Sequence, residues 1–139
     1  IGDCWDYFSV IYTFPNEVVV TFNSKQFGQG ADDICCRLYG SDGTVDTHYF
    51  GDVSIKGKVP FKGGKVDDLY PNGAIRNIAT FHENIIKGRF ANTTVSASVR
   101  SNRTTILGRM AARKNGEVSW EEMIQSEETF DPQLEGLKS

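Results

Sequence analysis

The spacing of apolar residues changes along this chain, and that change constrains the fold more than any other feature of the sequence. Up to about residue 56, apolar side chains recur at every second position, which is the period of a β-strand with one buried face. From residue 72 onward they recur at steps of three and four, the period of an amphipathic helix. Strands followed by helices predict an α+β fold, with one mostly antiparallel open sheet and its helices packed on one face.

Turn-forming residues divide the first part of the chain into two antiparallel hairpins and a short further strand. The expected strands are residues 5–14, 18–27, 34–39, 44–50 and 52–56. Pro15-Asn16 should close the first hairpin, and Ser41-Asp42-Gly43 should close the second. Residues 57–64 are rich in Gly, Lys and Pro, so we expect a surface loop there.

Three helices are expected after residue 72. The first should end near Lys87-Gly88, and the second should run from residue 95 to Lys114-Asn115-Gly116. Ser119 and Glu122 have the spacing of a capping box, which predicts a short third helix through Gln125. The stripes expected to pack against the sheet are Ile75, Ile78, His82, Ile85 and Ile86 in the first helix, and Val95, Val99, Asn102, Ile106 and Met110 in the second.

Length and charge restrict the function. A chain of 139 residues can bury roughly 68% of its unfolded surface, which favours one core and therefore a single domain over residues 1–139. The net charge of −3 leaves no basic surplus, so we expect no binding to nucleic acid. No apolar run reaches the roughly 18 residues of a spanning helix, so we expect no membrane association.

Cysteine usage favours a cytoplasmic protein. Cys35 and Cys36 are adjacent in a predicted strand, where their side chains point to opposite faces and cannot pair. Without a Cys-x-x-Cys spacing, we interpret the cysteines as buried reduced thiols and predict no metal site. The chain begins with Ile1 and without a signal sequence, and we expect it to be an excised piece of a longer protein.

Motifs of catalysis and cofactor binding are scarce. Gly28-Gln29-Gly30 lacks the third glycine of a dinucleotide-binding fingerprint and does not open a helix. We therefore assign no catalytic and no cofactor-binding residue. His48 is interpreted as a packed or hydrogen-bonded strand histidine, and His82 interrupts an isoleucine stripe where it needs a polar partner. Lys25 and Gln26, at the end of the second strand, could reach a polyol or a carboxylate.

The sheet face that points away from the helices combines aromatic and polar side chains, a composition typical of a surface that meets a partner. Self-association through this face is the simpler hypothesis, because a homodimer places the same patch on both sides. A solvated face with a few exposed rings is the alternative. The residues concerned are Trp5, Tyr7, Ile11, Thr13, Thr21, Asn23, Lys25, Arg37 and Tyr39.

Three segments in the last part of the chain form one combined pattern: Thr-Thr-Ile-Leu-Gly-Arg-Met-Ala-Ala at 104–112, Gly-Glu-Val-Ser-Trp-Glu-Glu-Met at 116–123 and Phe-Asp-Pro at 130–132. This pattern resembles the C-terminal signature of the glucose-fructose oxidoreductase/inositol dehydrogenase (Gfo/Idh/MocA) family. Residues 12–18, 40–49 and 82–89 are similar to the sheet and first C-terminal helix of the same family.

The resemblance implies the substrate-side and oligomerisation domain of an NAD- or NADP-dependent sugar or polyol oxidoreductase. The Rossmann domain of the family and its catalytic residues would lie upstream of Ile1, so the chain alone should be inactive. Lys25, Gln26 and His82 are then the expected substrate contacts. The implied partners are the protein's own Rossmann domain, a sugar or polyol substrate, and further copies in a homodimer or tetramer.

Two other interpretations remain open from the residues. The chain could be a free-standing α+β module that encloses a small apolar or sugar-like ligand, or it could be a structural dimerisation domain. An upstream Gly-rich fingerprint with a Glu-Lys-Pro motif would favour the oxidoreductase over the free-standing module.

Overall fold

The structure is a computed structural model that describes residues 5–26, 28–30, 32–65 and 67–129. Cys4 and the Phe-Asp-Pro segment at 130–132 lie outside the described residues. The chain divides into two compact units. We call Ile1–Gly28 with Thr93–Ser139 the hairpin–helix unit, and Gln29–Asn92 the four-stranded unit.

The α+β class is confirmed, and every strand pairing among the described residues is antiparallel. The strands form a two-stranded and a four-stranded sheet, however, instead of the one sheet that we expected. Alternation identifies strands but does not say which strands pair. The elements in chain order are β1 (Tyr7–Thr13), β2 (Val19–Lys25), β3 (Cys35–Tyr39), β4 (Gly43–His48), β5 (Asp52–Gly57), β6 (Phe61–Lys65), α1 (Leu69–Ile86), α2 (Val95–Lys114) and α3 (Trp120–Gln125).

Both predicted hairpins are confirmed. β1 and β2 pair from Tyr7–Lys25 to Thr13–Val19, and a short 3₁₀ turn over Pro15–Glu17 joins them. Asn16 adopts a left-handed conformation (φ 62°) there, which its short polar side chain tolerates. The second hairpin, β3–β4, is extended by β5 and β6 into a meander.

The prediction of a loop over residues 57–64 is wrong, because Phe61–Lys65 forms β6 at the edge of the four-stranded sheet. Glycine weakens the strand signal in a sequence, but here it meets a steric need. A Cβ on Gly63 would lie 3.2 Å from the carbonyl oxygen of Val53. The register also shifts between Val53 and Ser54, and Gly64 has a φ of 70°, as expected at an irregular edge.

α1 ends as predicted, since the backbone N–H of Lys87 donates to Glu83 and Gly88 adopts a left-handed φ of 63°. The ring of Tyr70 in its first turn lies 5.0 Å from the ring of Tyr49 after β4. Desolvation, together with a hydrogen bond to Tyr70, raises the pKa of Tyr49 to about 12. This aromatic pair brings α1 into contact with the turn between β4 and β5.

The expected burial of the α1 stripe is wrong. Ile75, Ile78 and Ile86 are 64%, 69% and 70% exposed. The periodicity identifies the helix and its apolar face correctly, but a period does not supply the surface that covers that face.

α2 packs on β1 through a different face from the one that we predicted. A Cβ on Gly108 would lie 2.1 Å from the hydroxyl oxygen of Tyr12, so the strand approaches the helix where the helix has no side chain. Gly108 lies nearly opposite Ile106 around the helix, and Val95 and Val99 of the predicted stripe are 55% and 44% exposed. Close approach at a small residue therefore decides the contact face.

Few of the described residues are buried. Among them, only Gly108 and Met123 are buried. The expectation of buried thiols is accordingly wrong for Cys35 and Cys36, which are free and exposed. Apolar alternation marks the face of a strand that is suited to burial, and the described part of the chain leaves that face largely uncovered.

α3 is confirmed with its predicted bounds and its capping box. The Ser119 hydroxyl accepts from the backbone N–H of Glu122, while the Glu122 carboxylate accepts from the backbone N–H of Ser119. These bonds, with Lys114 at 3.6 Å, hold the pKa of Glu122 below its usual value. Local polar signals were sufficient to predict this short helix.

We expect Gly108→Ala to lower the free energy of unfolding by about 1–3 kcal/mol, because the added methyl group collides with Tyr12 and separates α2 from β1. Gly73→Ala is the matched control, since nothing lies within 4 Å of a Cβ there. It should raise the stability of its helix by about 0.5–1 kcal/mol. Urea denaturation followed by circular dichroism measures both changes. Equal effects of the two substitutions would contradict the proposed contact.

Candidate functional site

The residues predicted to contact a substrate fall in both units. Lys25 is the last residue of β2, opposite Tyr7, and the backbone N–H of Gln26 donates to the carbonyl of Asp6 at 2.9 Å. The structure therefore places Lys25 and Gln26 side by side at the open end of the first hairpin. His82 lies on α1 in the four-stranded unit and is exposed. A substrate site that includes all three stays a prediction.

A row of alternating charges crosses one face of the four-stranded sheet, and sequence analysis did not predict it. His48 Nδ1 lies 2.9 Å from Asp33 Oδ1, and His48 Nε2 lies 3.1 Å from Asp46 Oδ1. Arg37 contacts the other oxygen of Asp46 at 3.1 Å. The order Asp33, His48, Asp46, Arg37 thus alternates in sign, and we call these four residues the charged row.

Strand register creates the charged row from residues that are distant in the sequence. Cys35 pairs with His48, and Arg37 pairs with Asp46. The hydrogen bond from the Tyr49 N–H to the Ile34 carbonyl, 2.7 Å long, continues the ladder toward Asp33. The sequence contained the information needed to predict this row, because the position of the predicted turn at 41–43 fixes which residues of the two hairpin strands pair.

The pKa values follow from these contacts. The hydrogen bond to Asp33, reinforced by Asp46, raises the pKa of His48. The same bond lowers the pKa of Asp33, whereas the pKa of Asp46 is lowered mainly by Arg37. Because both ring nitrogens of His48 face carboxylates, the charged imidazolium form is favoured.

This arrangement disfavours nucleophilic catalysis, although Cys35 lies beside His48. A general base needs a free ring nitrogen, and both nitrogens of His48 face acids. Desolvation and the neighbouring Asp33 raise the pKa of the Cys35 thiol, whereas a nucleophilic cysteine needs a lowered pKa. The charged row is suited to binding and to electrostatic recognition instead.

The hairpin–helix unit contains an apolar groove of about 470 Å³ between α2 and the inner face of the hairpin. Burial on this face raises the pKa of Tyr12. Phe14 and Phe22 line the groove but remain 42% and 46% exposed, so the groove is open to solvent. Thr104, Thr105 and Gly108 form the helical wall. The groove can accept apolar side chains or a small apolar ligand.

Comparisons with known proteins found no match for this chain. No protein-family model matches it, and neither a curated protein nor a solved structure matches. In the part of the chain that the structure describes, no helix combines the length and the hydropathy needed to cross a membrane.

The charged row should make stability depend on pH in both directions. The raised pKa of His48 means that its contribution is present below its ordinary value of 6.5 and is lost as the pH rises through the folded-state pKa. The pKa values of Asp33 and Asp46 are lowered, so the contribution of these carboxylates to stability is lost as the pH falls below their ordinary value of 3.8. The free energy of unfolding should therefore be highest between these two values.

His48→Gln should flatten the loss of stability above pH 6.5, as measured by urea denaturation at a series of pH values in the presence of a chelator. His82→Gln is the control, because it removes the other of the two histidines and leaves the charged row intact. If the His48 variant keeps the full alkaline loss, another group is responsible.

Proposed function

We propose that this chain is the C-terminal domain of an NAD- or NADP-dependent sugar or polyol oxidoreductase, where it shapes the substrate pocket and mediates oligomerisation. Its partners are a Rossmann domain of the same polypeptide and further copies of the protein. The complete enzyme acts in the cytoplasm. The proposal combines the resemblance in the sequence with the exposed apolar surfaces described above.

The observation that carries the proposal is the amount of apolar surface left uncovered. The isoleucine stripe of α1 and the groove beside α2 are both regular apolar surfaces, yet they face solvent. Removing apolar surface from water is worth roughly 25 cal/mol per Å², so a stable protein covers surfaces of this kind. A domain that packs against another polypeptide has this property.

Two of the segments that carry the resemblance lie on or beside the helices α2 and α3. Residues 104–112 belong to α2 and include Gly108, which allows the close contact with Tyr12. Residues 116–123 contain the turn after α2 and the capped start of α3. Two of the six segments that resemble the family therefore belong to the helices of the hairpin–helix unit.

The chemistry divides between the proposed domains. Hydride transfer needs the nicotinamide held against the carbon that is oxidised, together with a base for the hydroxyl proton. In this proposal the Rossmann domain supplies both. Lys25 and Gln26 bind hydroxyl groups of the substrate from the open end of the hairpin, and His82 contributes from α1. Bound NAD or NADP supplies the hydride acceptor.

The first test compares this chain with the protein encoded by its full reading frame. The full protein should bind NADH or NADPH with micromolar affinity, measured by protein-to-nicotinamide energy transfer, and should oxidise a polyol. The chain alone should not bind either cofactor, because binding resides in the Rossmann domain. Micromolar binding by the chain alone, or a reading frame without a Gly-rich fingerprint, would contradict the proposal.

The second test concerns the substrate contacts in the full protein. Lys25→Ala should raise KM for the polyol about tenfold with little change in kcat, because it removes one charge-assisted hydrogen bond from substrate and transition state alike. Lys62→Ala on β6 is the matched control and should leave KM unchanged. A fall in kcat without a change in KM would assign Lys25 a different role.

The apolar groove favours a second candidate, a free-standing module that binds a small apolar ligand. Its volume of about 470 Å³ lies within the range of small-molecule sites. A reading frame that starts close to Ile1, together with saturable binding of an apolar fluorescent probe that Gly108→Ala weakens, would favour this candidate over the oxidoreductase.

A further inference from the structure

Three side chains with different donor atoms meet at one end of the charged row. A carboxylate oxygen of Asp33, the Cys35 sulfur and a ring nitrogen of His48 all lie within 4.8 Å of one another. Cys35 and His48 are direct partners in the β3–β4 register, so their side chains share one face of the sheet. Cys35 and His48 belong to the adjacent strands β3 and β4, and Asp33 lies two residues before β3.

We propose that Asp33, Cys35 and His48 form a binding site for Zn²⁺, or for a divalent ion of similar preference such as Co²⁺. One oxygen, one sulfur and one imidazole nitrogen make a donor set that suits zinc and disfavours Mg²⁺ and Ca²⁺, which prefer oxygen donors. Three protein ligands leave the fourth tetrahedral position to water. The site lies outside the proposed substrate contacts and does not depend on the oxidoreductase function.

The distances require little rearrangement. Tetrahedral zinc with bonds of roughly 2.0–2.3 Å holds its ligand atoms roughly 3.3–3.6 Å apart. The 2.9 Å distance between His48 Nδ1 and Asp33 Oδ1 must therefore increase by a few tenths of an ångström. The cysteine sulfur, which lies within 4.8 Å of the other two ligand atoms, must move closer to them. Rotations of exposed side chains can supply both changes. On binding, the Cys35 thiol and the Nδ1 of the His48 imidazolium each lose a proton to solvent.

The surroundings of His48 provide a second, independent indication. Zinc-binding histidines usually direct their other ring nitrogen at a carboxylate, which sets the ring orientation and the tautomer. His48 Nε2 lies 3.1 Å from Asp46 Oδ1, a solvent-shielded oxygen without a hydrogen-bond partner among the described residues, so this contact is an ion pair and not an aligned hydrogen bond. Arg37 in turn holds Asp46 at 3.1 Å. A carboxylate therefore already lies beside the second ring nitrogen of His48, where a metal-binding histidine usually directs its N–H.

Gly51 contributes to the position of His48. A Cβ at Gly51 would lie 2.9 Å from the Cβ of His48, so the turn after β4 closes tightly over the base of this side chain. The position of the imidazole is thus determined from three sides, by the strand register, by Asp46 and by the following turn. A ligand group with so few alternative positions loses little freedom when it binds a metal.

The adjacent cysteine offers a matched control inside the same strand. Cys36 points to the opposite face, where its backbone N–H and carbonyl both bond to the Thr47 hydroxyl at 3.2 and 2.9 Å. Both cysteines are free and exposed. A reagent that modifies thiols can therefore reach each of them, and only Cys35 belongs to the proposed site.

The test uses Zn²⁺ and Co²⁺ with the chain as given. Zinc should bind with one-to-one stoichiometry in calorimetry, and Co²⁺ should produce the absorption of a thiolate-to-metal charge transfer. Cys35→Ser and His48→Gln should each weaken zinc binding at least tenfold, and Asp46→Asn about tenfold through the orientation of His48. Cys36→Ser and His82→Gln should leave the affinity within twofold.

A protection experiment needs no variant and so remains decisive if a substitution unfolds the chain. Zn²⁺ should slow the alkylation of Cys35 by iodoacetamide at least tenfold without slowing that of Cys36, with each site read by mass spectrometry. Equal protection of both cysteines, protection of neither, or a Co²⁺ complex without the thiolate absorption would overturn the proposal.

Discussion

The register of the β3–β4 pair decides which side chains meet in the four-stranded unit, and the site described above depends on it. Because side chains alternate between faces, a slip by one residue would move Cys35 and Arg37 to the opposite face from their present partners. Asp33 would then no longer reach His48, and Arg37 would lose Asp46. The turn at 41–43 and the Tyr49–Ile34 backbone bond hold this register at its two ends. The pairing of the two backbones therefore determines which charged side chains interact in the site.

Local features of the fold were predictable from the sequence, and features that depend on distant contacts were not. The capping box at Ser119 and the end of α1 at Gly88 follow from neighbouring residues, and both are confirmed. β6 was missed because Gly63 and Gly64 have low strand propensity, although the bulged edge requires small residues. The contact face of α2 was missed because Gly108 has no side chain, and this absence is what allows Tyr12 to approach the helix closely. A hydrophobic stripe does not report a contact of that kind.

The candidate site shows the same division. Lys25 and Gln26 were selected as polar residues at a strand end, and the structure places them there without testing their role. The charged row was missed because Asp33 and His48 are separated by fifteen positions in the chain. Each residue looked ordinary in its own segment. A carboxylate becomes a partner for histidine only after the hairpin has been paired, which sequence motifs with short spacing do not capture.

The two edges of the four-stranded sheet differ in how readily they could admit another strand. β6 carries Lys62 and Lys65 and lies beside the register shift at Val53, so charge and irregular geometry both oppose pairing along that edge. β3 at the other edge is regular through all five of its residues. A strand from another chain, whether in an ordered assembly or in an aggregate, would therefore add to the sheet at β3. The sheet would grow from one edge only.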